Sequence, residues 1–222
     1  MTFLPSDALP VLPNALDETT LQAGLEALAA RDADLGGVLA RLGPPPLWAR
    51  PPGFKTLILI ILEQQVSLAS ARAAYTRLAA AASPLTPAAF LALDDAALKA
   101  IGFSRQKSAY ARHLAQELLA GTLDLAELAA LDDEAARARL QAIKGIGPWS
   151  AEIYLLMALR RADAWPAGDL ALAVAAQEVK GLAQRPGPAS LTALAEAWRP
   201  WRAVAARLLW SHYLSKPSAK GT

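Results

Sequence analysis

The chain has 222 residues, a formal net charge of +2 and 54% hydrophobic residues, much of it alanine. That length holds one ordinary domain or two small lobes, and the alanine favours helix over strand. Cysteine is absent, which excludes disulfides, thiolate zinc sites and a four-cysteine iron–sulfur cluster.

No long alternating Val/Ile/Thr run is present, so the expected fold class is all-α. Residues 1–98 hold 6 Lys/Arg and 9 Asp/Glu, a balance of −3; residues 99–222 hold 16 and 11, a balance of +5. The asymmetry permits a nucleic-acid face on the later part, and solvated helix faces explain it equally. The longest apolar run, Leu57 to Leu62, is far short of a membrane span, and the start Met1-Thr-Phe-Leu-Pro-Ser-Asp7 lacks a secretion signal's basic and apolar regions. A soluble cytoplasmic protein with no membrane partner is expected.

In chain order, residues 1–18 contain three prolines and little periodicity, so an irregular lead-in is expected. Helices are predicted from Thr20 to Ala30 and from Asp34 to Arg41. The stretch Gly43-Pro-Pro-Pro-Leu-Trp-Ala-Arg-Pro-Pro-Gly53 breaks regular structure, as a crossing between lobes or as a surface loop. From Phe54 a helix buries Leu57, Ile58, Ile61 and Leu62. Gln64 and Gln65 then interrupt an apolar context, either bridging neighbouring backbone or contacting a ligand. A Ser/Ala-rich helix follows Val66 to Ala82.

Thr86 and Pro87 start a short helix, and Asp94 to Ile101 makes another, stopped by Gly102. Ser104 caps a helix from Arg105 to Leu119, whose Arg105 and Lys107 suit phosphate contact or plain solubility. Helices over Leu125–Leu131 and Asp133–Ala142 lead to Lys144-Gly-Ile-Gly-Pro-Trp149. Gly145 and Gly147 supply the angles of a tight turn, Ile146 anchors it in the core, and Pro148 fits the first position of the next helix. Ile153, Leu156, Met157 and Arg160 continue the helical period. Two glycines at a helix N-terminus also let its free N–H groups and dipole approach an anion, with Lys144 beside them. A simple αα-hairpin uses the same residues. Asp169 begins a helix over Leu170–Val179, a position where most aspartates only cap. Helices over Pro188–Trp198 and Pro200–Leu214 finish the chain, with a frayed end from Ser215. His113 and His212 are isolated from other metal-binding side chains.

Four blocks carry a resemblance. They are Leu62-Glu-Gln-Gln-Val-Ser67, Gly102-Phe-Ser-Arg-Gln-Lys107, the hairpin with Trp165-Pro-Ala-Gly-Asp169, and Trp198-Arg-Pro-Trp-Arg202 followed by Trp210. In this order, over roughly residues 55 to 215, they resemble helix-hairpin-helix DNA glycosylases of the AlkA type (3-methyladenine DNA glycosylase II) in a short form without the additional N-terminal α/β domain.

The resemblance implies two helical lobes with a cleft: 51–162 carrying the hairpin, and 1–50 with 163–222 carrying Asp169. It implies a monomeric, monofunctional glycosylase of base excision repair acting on double-stranded DNA, nucleoid-associated in a prokaryote. Such an enzyme removes cationic bases such as 3-methyladenine and 7-methylguanine; the alternatives are a glycosylase for deaminated or mismatched bases and a non-catalytic DNA-binding module. Asp169 matches the catalytic acid, and Trp149 and Trp210 match base-pocket aromatics. Gln64, Gln65, Ser67, Arg105, Lys107, Lys144, Gly145, Ile146 and Gly147 fall on DNA-binding positions, with Gln65 at the inserting wedge. Bifunctional relatives carry a nucleophilic lysine where Trp149 stands. No cofactor is required, and a Na+ or K+ on the carbonyls of Gln141, Ile143 and Ile146 is implied when DNA is bound.

Overall fold

The computed structural model describes Leu12 and residues 15–216. Most of the expected irregular lead-in and frayed tail therefore lies outside the described residues. Among them are thirteen α-helices, one 3-10 turn and no strand, only an isolated bridge between Ala15 and Arg161. They form two compact units, one on Arg50–Leu159 and the other on residues 15–49 with 160–216.

The Arg50–Leu159 unit holds α3 (Phe54–Glu63), α4 (Leu68–Ala81), α5 (Pro87–Leu91), α6 (Asp95–Ile101), α7 (Arg105–Leu119), α8 (Leu125–Ala130), α9 (Asp133–Gln141) and α10 (Pro148–Met157). Polar residues set where these helices begin. The side chains of Ser67, Thr86, Asp94, Ser104, Asp124 and Asp132 each accept a backbone N–H in the first turn of the following helix. Gly102, in the left-handed region at φ +113°, ends α6. The core forms on α3, where Leu57, Ile58, Ile60 and Ile61 are fully buried, and on α10, buried from Ser150 to Met157. Apolar residues on nearly every side of these two helices place them in the interior. The helical period breaks off after Met157, however: Arg160 has φ +55° and lies outside α10.

Charged side chains fasten this unit from within. Arg50 forms a bidentate pair with Glu63 (2.8 and 2.9 Å), both nearly buried, and Arg50 N–H donates to the Met157 carbonyl. Arg137 pairs with Glu152, tying α9 to α10. The Tyr154 hydroxyl accepts the N–H of Gly53 at 3.0 Å.

The second unit holds α1 (Glu18–Arg31), α2 (Ala33–Leu42), α11 (Leu170–Val179), α12 (Pro188–Ala195), a 3-10 turn (Glu196–Trp198) and α13 (Arg202–Leu214). Its centre is α13, buried at every position from Arg202 to Trp210 and packed on α11, α2 and α1. The expected start of this helix at Pro200 is corrected to Arg202, with Trp201 at its cap. Gly24 lets α1 approach: a Cβ there would sit 2.8 Å from the Trp201 ring. Asp32 caps α2 and accepts the Trp198 indole N–H at 2.7 Å and the Lys180 ammonium at 3.0 Å. Burial pushes its carboxyl up, but those donors outweigh it and hold it below the ordinary aspartate value.

No helix among the described residues is long and apolar enough to cross a membrane. Burial drives the Tyr154 phenol up to about 12 from 10.0, the Gly53 bond opposing it weakly. The folded value lies above the unfolded one, so the stability conferred by neutral Tyr154 is complete below pH 10 and is lost as pH rises through about 12. Thermal melts across that window should show a steeper alkaline loss for the wild type than for Tyr154→Phe.

Candidate functional site

The loop before α11 is held by ion pairs. Asp163 receives Arg202 on both carboxylate oxygens at 2.9 Å, its backbone carbonyl accepts the same guanidinium at 2.9 Å, and Arg199 pairs with it as well. Such a planar fork fixes a loop in two directions at once. Ala203 N–H then donates to the Ala162 carbonyl, and Trp165 stands edge-on to the buried Trp198 at 5.5 Å. In this way the Trp198-Arg-Pro-Trp-Arg202 block is a clamp on the Asp163 loop.

That loop delivers Asp169 to the head of α11. Its Oδ1 accepts the Leu172 N–H at 2.9 Å, as a helix cap does. The same oxygen accepts the Trp210 indole N–H at 3.1 Å. Asp169 therefore caps α11, as most aspartates at such a position do, and the cap also fixes the carboxylate against an indole. Trp210 retains only 8% exposure and meets Trp48 edge-to-face, with centroids 6.2 Å apart and planes at 65°. It is thus less an open wall than expected and more a donor to Asp169.

The hairpin joins α9 to α10. Ile146 is buried in its turn, and its N–H donates to the Ile143 carbonyl at 3.0 Å. The two glycines differ. Gly145 has φ +95°, and a Cβ there would lie 2.2 Å from Tyr110 Cγ; Gly147 has an extended backbone with nothing within 4 Å of such a Cβ. The expectation that both supply special angles is corrected, since only Gly145 needs one. Gly147 leaves α10 without a side-chain cap, and Lys144 beside the turn is exposed. The positive end of a helix at such a turn suits an anion. Trp149, the second residue of α10, is half-buried.

The other expected DNA-binding residues divide. Gln64 does not reach outward: its amide donates to the Gly145 carbonyl at 2.9 Å and to Ser150 Oγ at 3.0 Å, bracing the hairpin. Lys107 donates to the Leu62 carbonyl at 2.7 Å, and burial draws its ammonium below the ordinary lysine value. Ser67 caps α4 through Ser70 N–H. Arg105 is exposed, as is Gln65, which has φ +56°. Beside Gln65, Val66 and Leu68 are 44% and 49% exposed, so the wedge position sits among open apolar side chains.

The family model described as "HhH-GPD superfamily base excision DNA repair protein" matches residues 58–200. The chain belongs to this superfamily. It is 31% identical to "DNA-3-methyladenine glycosylase 2" of Escherichia coli (strain K12), over 91% of this chain and 79% of that protein. A second relative, "Probable bifunctional transcriptional activator/DNA repair enzyme AlkA" of Mycobacterium tuberculosis, is 42% identical over 83 residues; the match spans 37% of this chain and 16% of that protein. Among solved structures, Schizosaccharomyces pombe 3-methyladenine DNA glycosylase in complex with abasic DNA is similar at a TM-score of 0.76 and 26% identity, covering 86% of this chain and 95% of that one.

Within this HhH-GPD chain, sequence reading passed over Trp48. Its signal was present, a tryptophan inside a proline-rich breaker stretch, but not its conformation. Trp48 is 6% exposed with φ +48°, and a left-handed conformation costs a bulky L-residue roughly 1–2 kcal/mol. The hairpin geometry makes a paired prediction in thermal or denaturant melts. Gly145→Ala should lose about 2 kcal/mol or more, from its positive φ and the Tyr110 clash. Gly147→Ala should melt like wild type.

Proposed function

We propose that this chain is a monofunctional DNA glycosylase that hydrolyses the N-glycosidic bond of cationic alkylated bases, with 3-methyladenine and 7-methylguanine as the substrate class. The observation that carries this reading is the Asp169 carboxylate, fixed through one oxygen by the head of α11 and the indole N–H of Trp210. The names of the Escherichia coli relative and of the Schizosaccharomyces pombe structure support the substrate class.

The chemistry follows from charge. A base alkylated on a ring nitrogen is positively charged and leaves readily, so little protonation of the leaving group is needed. The sugar develops oxocarbenium character, and a carboxylate near the anomeric carbon stabilises it or deprotonates the attacking water. Asp169 takes that part. The target nucleotide has to leave the stack, and indole faces offset the cost by stacking on a cationic base, an attraction of about 0.5–2 kcal/mol. Trp149, half-buried, is the candidate for such a face, while Trp210 serves chiefly as the donor to Asp169. With Trp149 at the lysine position of bifunctional relatives, the product is an intact abasic strand.

Grip on duplex DNA falls to the hairpin, where the N-terminus of α10 at Gly147, with Gly145, Ile146 and Lys144, meets a phosphate. Arg105 adds a charge, Gln65 is the inserting side chain, and Gln64, Ser67 and Lys107 shape the backbone that presents it. The carbonyls of Gln141, Ile143 and Ile146 belong to the end of α9 and the turn after it, and such oxygen donors would fit a Na+ or K+. When bound, that ion supplies positive charge to the phosphate. The enzyme acts as a monomer.

Excision from methylated duplex DNA, read as alkali-labile sites, tests the proposal. Wild type should release the bases, and Asp169→Asn should lose at least about a hundredfold in rate while keeping duplex affinity. Gly147→Ala should bind duplex more weakly at unchanged melting temperature. An active Asp169→Asn would remove the carboxylate's role, and a borohydride-trapped covalent adduct would overturn the monofunctional assignment. Release of deaminated bases in place of methylated ones would reassign the substrate.

A further inference from the structure

Trp48 is part of the same unit as Asp169 and Trp210, and nothing in the reaction as proposed uses it. A tryptophan at φ +48° occupies a conformation that glycine would accept without penalty. The surroundings enforce it. Arg207 of α13, fully buried, donates its Nε–H to the carbonyl of the preceding residue, Leu47, at 2.8 Å, and its Nη1 to Ala203 O at 2.8 Å. Trp210 lies three residues further along α13, on the same face one turn on. One helical turn therefore holds both the anchor of the strained segment and the indole that the segment packs against. The Trp48 ring meets that indole edge-to-face at 6.2 Å, a preferred aromatic geometry that resists ring rotation. The indole N–H in turn reaches Asp169 Oδ1 at 3.1 Å.

We infer that Trp48 is a positioning residue for the reaction: its ring, set by the Arg207–Leu47 bond, locks the orientation of Trp210 and through it the angle of the Asp169 carboxylate. This rests on the glycosylase reading above. It predicts that losing the ring lowers the rate of base release without altering affinity for DNA. It also predicts that the effect passes entirely through Trp210.

The test is a mutant cycle in single-turnover excision of methylated duplex, with affinity measured on duplex carrying an uncleavable abasic analogue. Trp48→Gly removes the ring and relieves the backbone strain. It should slow release by about tenfold to a hundredfold, the scale of a small misplacement of a catalytic group, with affinity unchanged. Trp48→Phe keeps an aromatic edge and should recover most of the rate. Trp210→Phe keeps a ring but removes the N–H, and adding Trp48→Gly to it should slow release no further. Independent multiplication of the two losses, a parallel fall in affinity, or full speed in Trp48→Gly would overturn the inference. Should Trp48→Gly fail to fold, hydrogen exchange of the Trp210 indole N–H in Trp48→Leu decides. Faster exchange than in wild type and Trp48→Phe supports the lock, and equal protection refutes it. Asp169→Asn in the same assay separates the two readings: its full activity would defeat the glycosylase mechanism, whereas its inactivity beside a fully active Trp48→Gly would defeat only the positioning role.

Discussion

A carboxylate that must act on a sugar has to be held at a fixed angle and must keep its charge. Asp169 Oδ1 accepts two neutral donors, the Leu172 backbone N–H and the Trp210 indole N–H. Two donors on one oxygen fix the direction in which the carboxylate points. Six residues earlier Asp163 carries Arg202 and Arg199 on its carboxylate. The two acids share one loop and divide the work: Asp163 is consumed in fixing the backbone, and the loop it fixes ends at Asp169. The C-terminal block rich in tryptophan and arginine is thus written mostly for that fixation, and its reach extends to the site through one indole.

A comparable division runs through the hairpin. Gly145 is demanded by the fold, since its positive φ and the Tyr110 ring leave no room for a side chain. Gly147 has no such demand on it, and its effect is to leave the first turn of α10 uncapped. Most other helices here begin with a side-chain oxygen on their free N–H groups. Gln64, whose amide supports the Gly145 carbonyl and Ser150, keeps the turn in shape. Stiffness and openness are thus assigned to adjacent residues.

Helix existence, and most boundaries, were legible because the signals are local. Arg105–Leu119 and Leu170–Val179 run as their caps and periodicity require. The four family blocks were legible as types and spacing, and the superfamily membership bears out that resemblance. What the sequence hid were long-range partners. Nothing in Gln64-Gln65 says that the first amide turns inward to a carbonyl 81 positions away while the second adopts φ +56°. Nothing in a proline-rich breaker stretch says that Trp48 is buried against Trp210. The start of α13 was missed by two residues because Pro200 is a good first helical residue, yet the chain there is still turning to bring Arg202 onto Asp163.

Charge counting illustrates the same limit from another side. The surplus of +5 over residues 99–222 invites a nucleic-acid face. Part of it goes to backbone carbonyls: Lys107 holds the Leu62 carbonyl, Arg112 the Leu93 carbonyl, Arg139 the Thr122 carbonyl and Arg207 the Leu47 carbonyl. Each cation satisfies a backbone oxygen where a helix or loop ends, which is structural work that a formal charge cannot distinguish from phosphate binding. If the chain holds DNA as proposed, the grip therefore depends less on the number of cations than on the N-terminus of α10 at Gly147, reinforced by exposed Lys144 and Arg105. Such a grip is geometric before it is electrostatic: a helix end aims several donors at one phosphate, whereas free lysines would hold the strand without fixing its register.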